Sequence, residues 1–301
     1  MNKKTKMKRK NFSVSNAILF AVLTIYSLSL LVLLLWGAST SVKTFDDFYY
    51  NPIWLPSGAP SEWAWDNYTY VFQKFSVRTR DSMGRIVMVN IWGQAVNTIL
   101  YTIVGSFLTT IACCVMSYCA AKYNYFFSKI LYAIVLMVMV IPIVGNTPSM
   151  LLLLKNTNLY DTWLGMFLMK FNFLGLYFLV FFGIFEGISR EYTEAATIDG
   201  ANEYQIFFMI MLPLVKTTFF TVFLIHFIDY WNDYTMALMY MPSHPTLAFG
   251  VYYMGISNEP GMAYAPTKMV ACMILALPLS TIFVIFRNKL LGNTMAGGVK
   301  E

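Results

Sequence analysis

Few residues in this 301-residue chain are able to do chemistry, and their spacing suits little of it. The two histidines, His226 and His244, stand 18 residues apart. No pair therefore has the spacing of a zinc or iron site, and no metal ligands are expected. Cys113, Cys114, Cys119 and Cys272 lie inside apolar runs and form no CxxC; they read as small buried apolar residues. No GxxxxGK[ST] occurs, and between Gly292 and Lys300 the lysine comes too late for a phosphate loop. The chain is thus expected to hydrolyse no nucleotide, bind no cofactor and not be an enzyme. One acidic pair has helical spacing. Asp229 and Asp233 fall on one helix face, beside Tyr230, Trp231 and Asn232. Asp229, Trp231 and Asn232 are candidates for hydrogen bonds to a polar solute along a path, whereas Asp233 is expected at a water-solvated helix end. Lys170 and Glu186 are open to both readings, path and solvated surface.

The elements that must position these groups follow from composition. Apolar and aromatic residues make up 58% of the chain and charged residues 12%, about half the roughly 25% usual in soluble domains. A single soluble domain has too little core for so much apolar surface, and disordered chains are polar. The expectation is an all-α polytopic membrane protein lying in a lipid bilayer. A span needs about 20 apolar residues. The charge-free runs predict helix 1 at 16–37, helix 2 at about 97–120, helix 3 at 130–154, helix 4 at 163–185, helix 5 from Pro213 to about Thr235, and helix 6 at 269–286. Pro242 and Pro245 argue against a seventh span in 234–258, which reads as an outer or re-entrant loop. The domain reading is a basic N-terminus (1–15), helix 1, an outer loop with a lead-in (38–96), a transmembrane body (97–286) and a tail (287–301).

Orientation comes from Lys and Arg near span ends. Lys3, Lys4, Lys6, Lys8, Arg9 and Lys10 precede helix 1, and Lys43 alone follows it closely. The N-terminus is therefore expected to be cytoplasmic and, with six transmembrane helices, so is the C-terminus. The same cluster holds six of the 21 basic residues, so the net charge of +6 describes no nucleic-acid face. The apolar run of helix 1 is too long for a usual signal peptide and reads as uncleaved. All seven tryptophans fall on the outer side in this topology, as an interfacial belt or a docking surface.

One inner segment is too polar for its place. Between helices 4 and 5, Gly187 to Leu212 carries Glu191, Glu194, Asp199 and Glu203 against Arg190 alone. It reads as two short helices. Ser189 can cap the first, and Glu191 lies in its first turn, where the helix dipole favours an acid. Gly200 can take the left-handed conformation that ends it. The second runs from about Ala201 with Tyr204, Phe207 and Phe208 as its apolar face, and Pro213 suits the first turn of helix 5.

The spacing Glu194-Ala195-Ala196, three residues, Gly200, nine residues, Ile210, one residue, Leu212-Pro213 resembles the EAA-loop signature of bacterial ABC-importer permeases. Seven specified positions at fixed spacing arise by chance on the order of once in a million such chains. Asp66-Asn67-Tyr68, Trp231-Asn232-Asp233, Pro245-Thr246-Leu247 and the tail ending Gly297-Gly298-Val299-Lys300 resemble the carbohydrate group, in particular its smaller maltose-type permease. Gln73 to Arg85 has no counterpart that can be aligned. The resemblance implies an inner-membrane permease subunit paired with a second, different permease, an ABC ATPase dimer that holds ATP and Mg, and a solute-binding protein that delivers an oligosaccharide. It implies that Glu194, Ala195, Ala196, Asp199, Gly200, Ile210, Leu212 and Pro213 form the ATPase-coupling site, with Gly297, Gly298 and Lys300 also touching the ATPase. An ion-coupled secondary transporter predicts membrane-embedded acids and inverted repeats, and neither is evident. A non-transporting docking protein accounts for the acidic loop but not for the other matching segments.

Overall fold

The computed structural model describes residues 14–81, 83–123, 126–141, 145–257 and 261–294. Most of the expected basic N-terminus lies outside the described residues, as do Gly297, Gly298 and Lys300. Among the described residues three helices are long and apolar enough to cross a membrane: α1 (Val14–Ser41, its apolar stretch beginning at Ser15), α4 (Ile91–Lys122) and α15 (Ala265–Thr294, apolar to Phe286). A fourth crossing arises if Glu203–Leu214 and Lys216–Trp231, bent by 79° at Val215, count as one.

Two helices read as continuous are broken. The expected helix 3 is α5 (Phe126–Val140) and α6 (Thr147–Asn156), and between them Gly145 has φ +82°. The expected helix 4 is α7 (Trp163–Lys170) and α8 (Leu176–Gly187), separated by residues 171–175. A helix break frees backbone carbonyls that an apolar surround cannot satisfy. Here α4 supplies the partners. Thr109 Oγ1 donates to Lys170 O at 2.6 Å, at the end of α7. Cys113 Sγ lies 3.8 Å from the carbonyls of both Asn172 and Phe173.

The same helix is the centre of the molecule, with α8 and α12 (Lys216–Trp231) packed along it. Small buried hydroxyl residues make that approach possible. Thr98, Thr102, Thr110 and Ser117 bond back to the carbonyl four residues earlier, and two of these hydroxyls also reach a neighbouring helix, Thr98 Oγ1 accepting Leu247 N–H and Ser117 Oγ lying 2.8 Å from Phe178 O. By contrast α1 exposes its apolar side chains from Ile18 to Leu35 and meets α15 near Gly37, where Met273 and Met269 approach the bare glycine.

The outer loop departs from the all-α expectation. After α2 (Phe45–Tyr50) and α3 (Asp66–Lys74), strands β1 (Ser76–Arg80) and β2 (Ile86–Asn90) form an antiparallel hairpin, in register from Ser76 opposite Asn90 to Arg80 opposite Ile86. This covers the segment that could not be aligned. Its alternation was too short to stand out beside a spanning run, yet it is regular. Val77 is fully buried while Arg78 and Arg80 point outward. Thr79 Oγ1 donates to Pro242 O at 2.7 Å and pins the hairpin to the 234–258 stretch.

That stretch holds α13 (Thr235–Met239) and α14 (Leu247–Ile256), with Pro242 and Pro245 between them. Ten residues of helix reach about 15 Å, half a hydrocarbon core, so α14 is too short to span, in keeping with the loop expectation.

Candidate functional site

The polar loop folds into two bracketed helices. The first, α9 (Glu191–Ile198), has Arg190 rather than Ser189 at its N-cap and no capping side chain there, although Ser189 Oγ accepts Glu191 N–H at 3.3 Å from one residue further back. It ends on Gly200 at φ +83°. Ala201 N–H bonds Ala196 O at 2.9 Å and Gly200 N–H bonds Thr197 O at 3.1 Å, the paired 6→1 and 5→2 pattern of a Schellman cap. Two residues later Asn202 and Gln205 form a reciprocal capping box, at 2.9 and 2.8 Å. The turn between the helices is thus closed by hydrogen bonds on both sides of Gly200.

Beyond the box, α10 (Glu203–Gln205) leads into a π-helical segment, Ile206–Met211, and then α11 (Leu212–Leu214). This register changes the expected apolar face. Ile206, Phe207 and Met211 are buried, whereas Tyr204 is 78% and Phe208 54% exposed. An α-helical count could not anticipate that rotation, because the π turn adds a residue. Pro213 was expected in the first turn of helix 5. It sits instead in α11, on the loop side of the bend at Val215.

The surface of α9 is open. Ala196 is its buried residue, packed with Ile206, Phe207 and Val215. Glu194, Ala195, Asp199 and Gly200 are exposed, and Ile198 is 86% exposed. Clefts flank the helix on both sides. One, of about 500 Å³, is lined by Glu194, Thr193 and Thr197 facing Tyr118, Lys122 and Tyr123. The other, of about 680 Å³, is lined by Ala195, Asp199, Glu191 and Ile210. The expected loop residues therefore come together, with Leu212 half-buried on the same cluster.

The opposite end of the molecule carries a second polar group. Asp233 was expected to be solvated. It instead accepts from Tyr101 Oη at 2.6 Å and lies 3.5 Å from Lys170 Nζ, and its Oδ1 accepts Met236 N–H at 3.1 Å. The Lys170 ammonium sits 3.9 Å from the Tyr230 ring centre, and Tyr230 Oη lies 2.8 Å from Thr109 Oγ1. Residues of α4, α7 and α12 thus surround one buried cation, as charges within spans require. Trp231 does not face a path. It is 5% exposed and donates Nε1–H to Leu275 O at 2.9 Å, so it belongs to the core. Asp229 and Asn232 are exposed. Of this group the sequence marked Lys170, by its charge inside an apolar run, and Asp233 with Tyr230, by helical spacing from Asp229; nothing local marked Tyr101 or Thr109.

Nearby, in the 157–162 turn, Asp161 accepts from Ser243 N–H at 3.0 Å and Ser243 Oγ at 2.8 Å, with His244 Nδ1 3.8 Å away. Burial pushes its carboxyl up, but the nearby His244 ring and the two hydrogen bonds from Ser243 outweigh it and hold it below the usual carboxylate range.

The family described as binding-protein-dependent transport system inner membrane component matches residues 114–291, from within α4 to near the end of α15. The diacetylchitobiose uptake system permease protein NgcG of Streptomyces coelicolor is 22% identical, over 93% of this chain and 88% of that one. The arabinooligosaccharides transport system permease protein AraQ of Bacillus subtilis is 24% identical over 80% of each. The lactose transport system permease protein LacG of Rhizobium radiobacter is 24% identical, over 68% of this chain and 74% of its own. Among solved structures, a chain of a bacterial ABC transporter involved in the import of the acidic polysaccharide alginate superposes with a TM-score of 0.73 at 20% identity. It covers 94% of this chain and 99% of that chain, and so shares the fold.

Proposed function

The chain belongs to the family of binding-protein-dependent transport system inner membrane components, and on that premise we propose that it is one of two different permease subunits of an ATP-driven oligosaccharide importer. The observation that carries this reading is the loop around α9. It is bracketed by a Schellman cap and a capping box, yet α9 buries Ala196 alone. An element ordered so tightly and covered so little is suited to a partner that pushes on it. In this reading Glu194 and Asp199 offer charge to an ABC ATPase dimer, Ala195 and Ala196 allow close approach, and Gly200 holds the turn. Ile210, Leu212 and Pro213 join the loop to α12 across the 79° bend.

ATP and Mg would be held by the ATPase, whose closure moves the two coupling loops and, through them, the spans. A solute-binding protein would deliver the sugar on the opposite side. The relatives named for diacetylchitobiose, arabinooligosaccharides and lactose support a saccharide of two or more units.

The same proposal includes six spans with both termini cytoplasmic, α5 with α6 and α7 with α8 each making one broken span. What supports it is the sorting of contacts. The hairpin, the 157–162 turn and residues 233–246 meet at one end. The end of α4 and residues 188–207 meet at the other.

Replacing Gly200 with valine in the assembled importer tests the role. Uptake should fall while the permease still copurifies with the ATPase and the second permease; unchanged uptake sinks it.

A further inference from the structure

We propose that Lys122 and Tyr123 are positioning residues that lock the coupling loop to the end of α4, so that loop and helix move as one body; this rests on the coupling role proposed above. Lys122 ends α4 and Tyr123 is its C-cap, and the two grip the loop on either side of α9. Lys122 Nζ donates to Ile188 O at 2.6 Å, at the chain's entry to the loop. The Tyr123 hydroxyl donates to Glu203 Oε2, at its exit. Ile188 is the C-cap of α8 and Glu203 the first residue of α10, so α9 hangs between two anchored points.

The grip is reinforced from beneath. Tyr118, earlier on α4, meets the Tyr123 ring edge-on at 5.9 Å and packs its ring 5.1 Å from Phe207 and 5.5 Å from Phe185. These rings belong to the cluster that buries Ala196. A push on α9 therefore has two routes into α4, one polar and one apolar. The polar route carries direction, because a hydrogen bond to a carboxylate is sensitive to angle in a way that ring packing is not.

What α4 then delivers is visible at its other end. Tyr101 and Tyr123 lie roughly 33 Å apart along one helix, and Tyr101 holds Asp233 at 2.6 Å. Displacement of the coupling loop thus reaches the Lys170 network through a single rigid rod, independently of the bend at Val215.

The test uses the complete importer in proteoliposomes, with uptake, ATP hydrolysis and copurification of the ATPase measured for each variant. Tyr123→Phe and Glu203→Ala should each lower uptake per ATP hydrolysed on the order of tenfold, the loss expected of one hydrogen bond to a charged group, while the ATPase still copurifies. Glu203→Gln keeps an acceptor and should stay near wild type. The double variant Tyr123→Phe/Glu203→Ala should be no worse than either single. Lys122→Met should behave as Tyr123→Phe. Wild-type coupling in Tyr123→Phe overturns the proposal, as do fully additive losses in the double variant or loss of assembly, which assigns the pair to folding. Gly200→Val serves as the separating control. If it transports normally, the coupling role itself falls. If it is impaired while Tyr123→Phe is not, the clamp alone falls.

Discussion

Lys170 and Asp233, 63 residues apart in the chain, meet at 3.5 Å between Nζ and Oδ2, the lysine at the end of α7 and the aspartate just past α12. Both side chains are mostly buried, at 17% and 23% exposure. Removing one partner leaves the other as an uncompensated charge, whereas removing both leaves a neutral gap. Lys170→Met and Asp233→Asn should each lower the melting temperature of the purified complex. The double variant should recover part of the loss, with a coupling energy of about 1–3 kcal/mol in the cycle. Additive losses contradict the pairing.

The turn at Gly200 is limited by backbone rather than by space. No atom lies within 4 Å of a Cβ built there, while φ is +83°. Side chains should therefore rank by tolerance of the left-handed region and not by size: Asn close to Gly, Ala worse by about 1 kcal/mol, Val worst. Uptake rates of the three variants check the order, and an Asn variant poorer than Ala contradicts it.

Gly165 presents the opposite case. A Cβ there would lie 2.2 Å from the backbone oxygen of Leu159, and backbone cannot swing aside as a side-chain tip can. The position follows Thr162, whose Oγ1 accepts Gly165 N–H and caps α7. Gly165→Ala should cost about 1–3 kcal/mol through strain, read as a lower melting temperature. Stability equal to wild type would show that the 157–162 turn is looser than its hydrogen bonds imply.

Asp161 gives the 157–162 turn a pH dependence. Its folded carboxyl is held below the ordinary value, so the native state binds fewer protons than the unfolded chain through that window. The contribution to stability is then fully present above the unfolded value of about 3.9, and is lost as pH falls through the lower folded one. Melting curves between neutral pH and about pH 3 should show a steeper acid decline for wild type than for Asp161→Asn. Identical slopes contradict the assignment.

Signals within a few residues carried most of what could be read early. Glu194, Ala195, Ala196 and Gly200 were legible because a cap, a helix and a turn each depend on neighbours in the chain. The hairpin at Ser76–Asn90 was missed, since five-residue strands carry weak alternation beside a long apolar run. The breaks at 141–146 and 171–175 were missed because hydropathy counts apolar residues and does not see whether the backbone between them is helical. The π segment that buries Phe207 and exposes Phe208 changes a face by a single residue, below the resolution of any periodicity.

By itself the sequence determined that the chain is built for a membrane, where its charge concentrates, and that one polar loop forms two short helices hinged at Gly200. Composition and local spacing suffice for these, since transfer of apolar surface and helix capping depend on residue type and near neighbours. Tertiary structure alone decided which side chains share a site. Tyr101 reaches Asp233 across 132 residues, Tyr123 reaches Glu203 across 80, and Trp231 turns into the core instead of a path. Such pairings are set by how helices pack against α4. Packing is chosen by shape and by the need to satisfy every buried polar group, and neither is written in the order of residues along one helix.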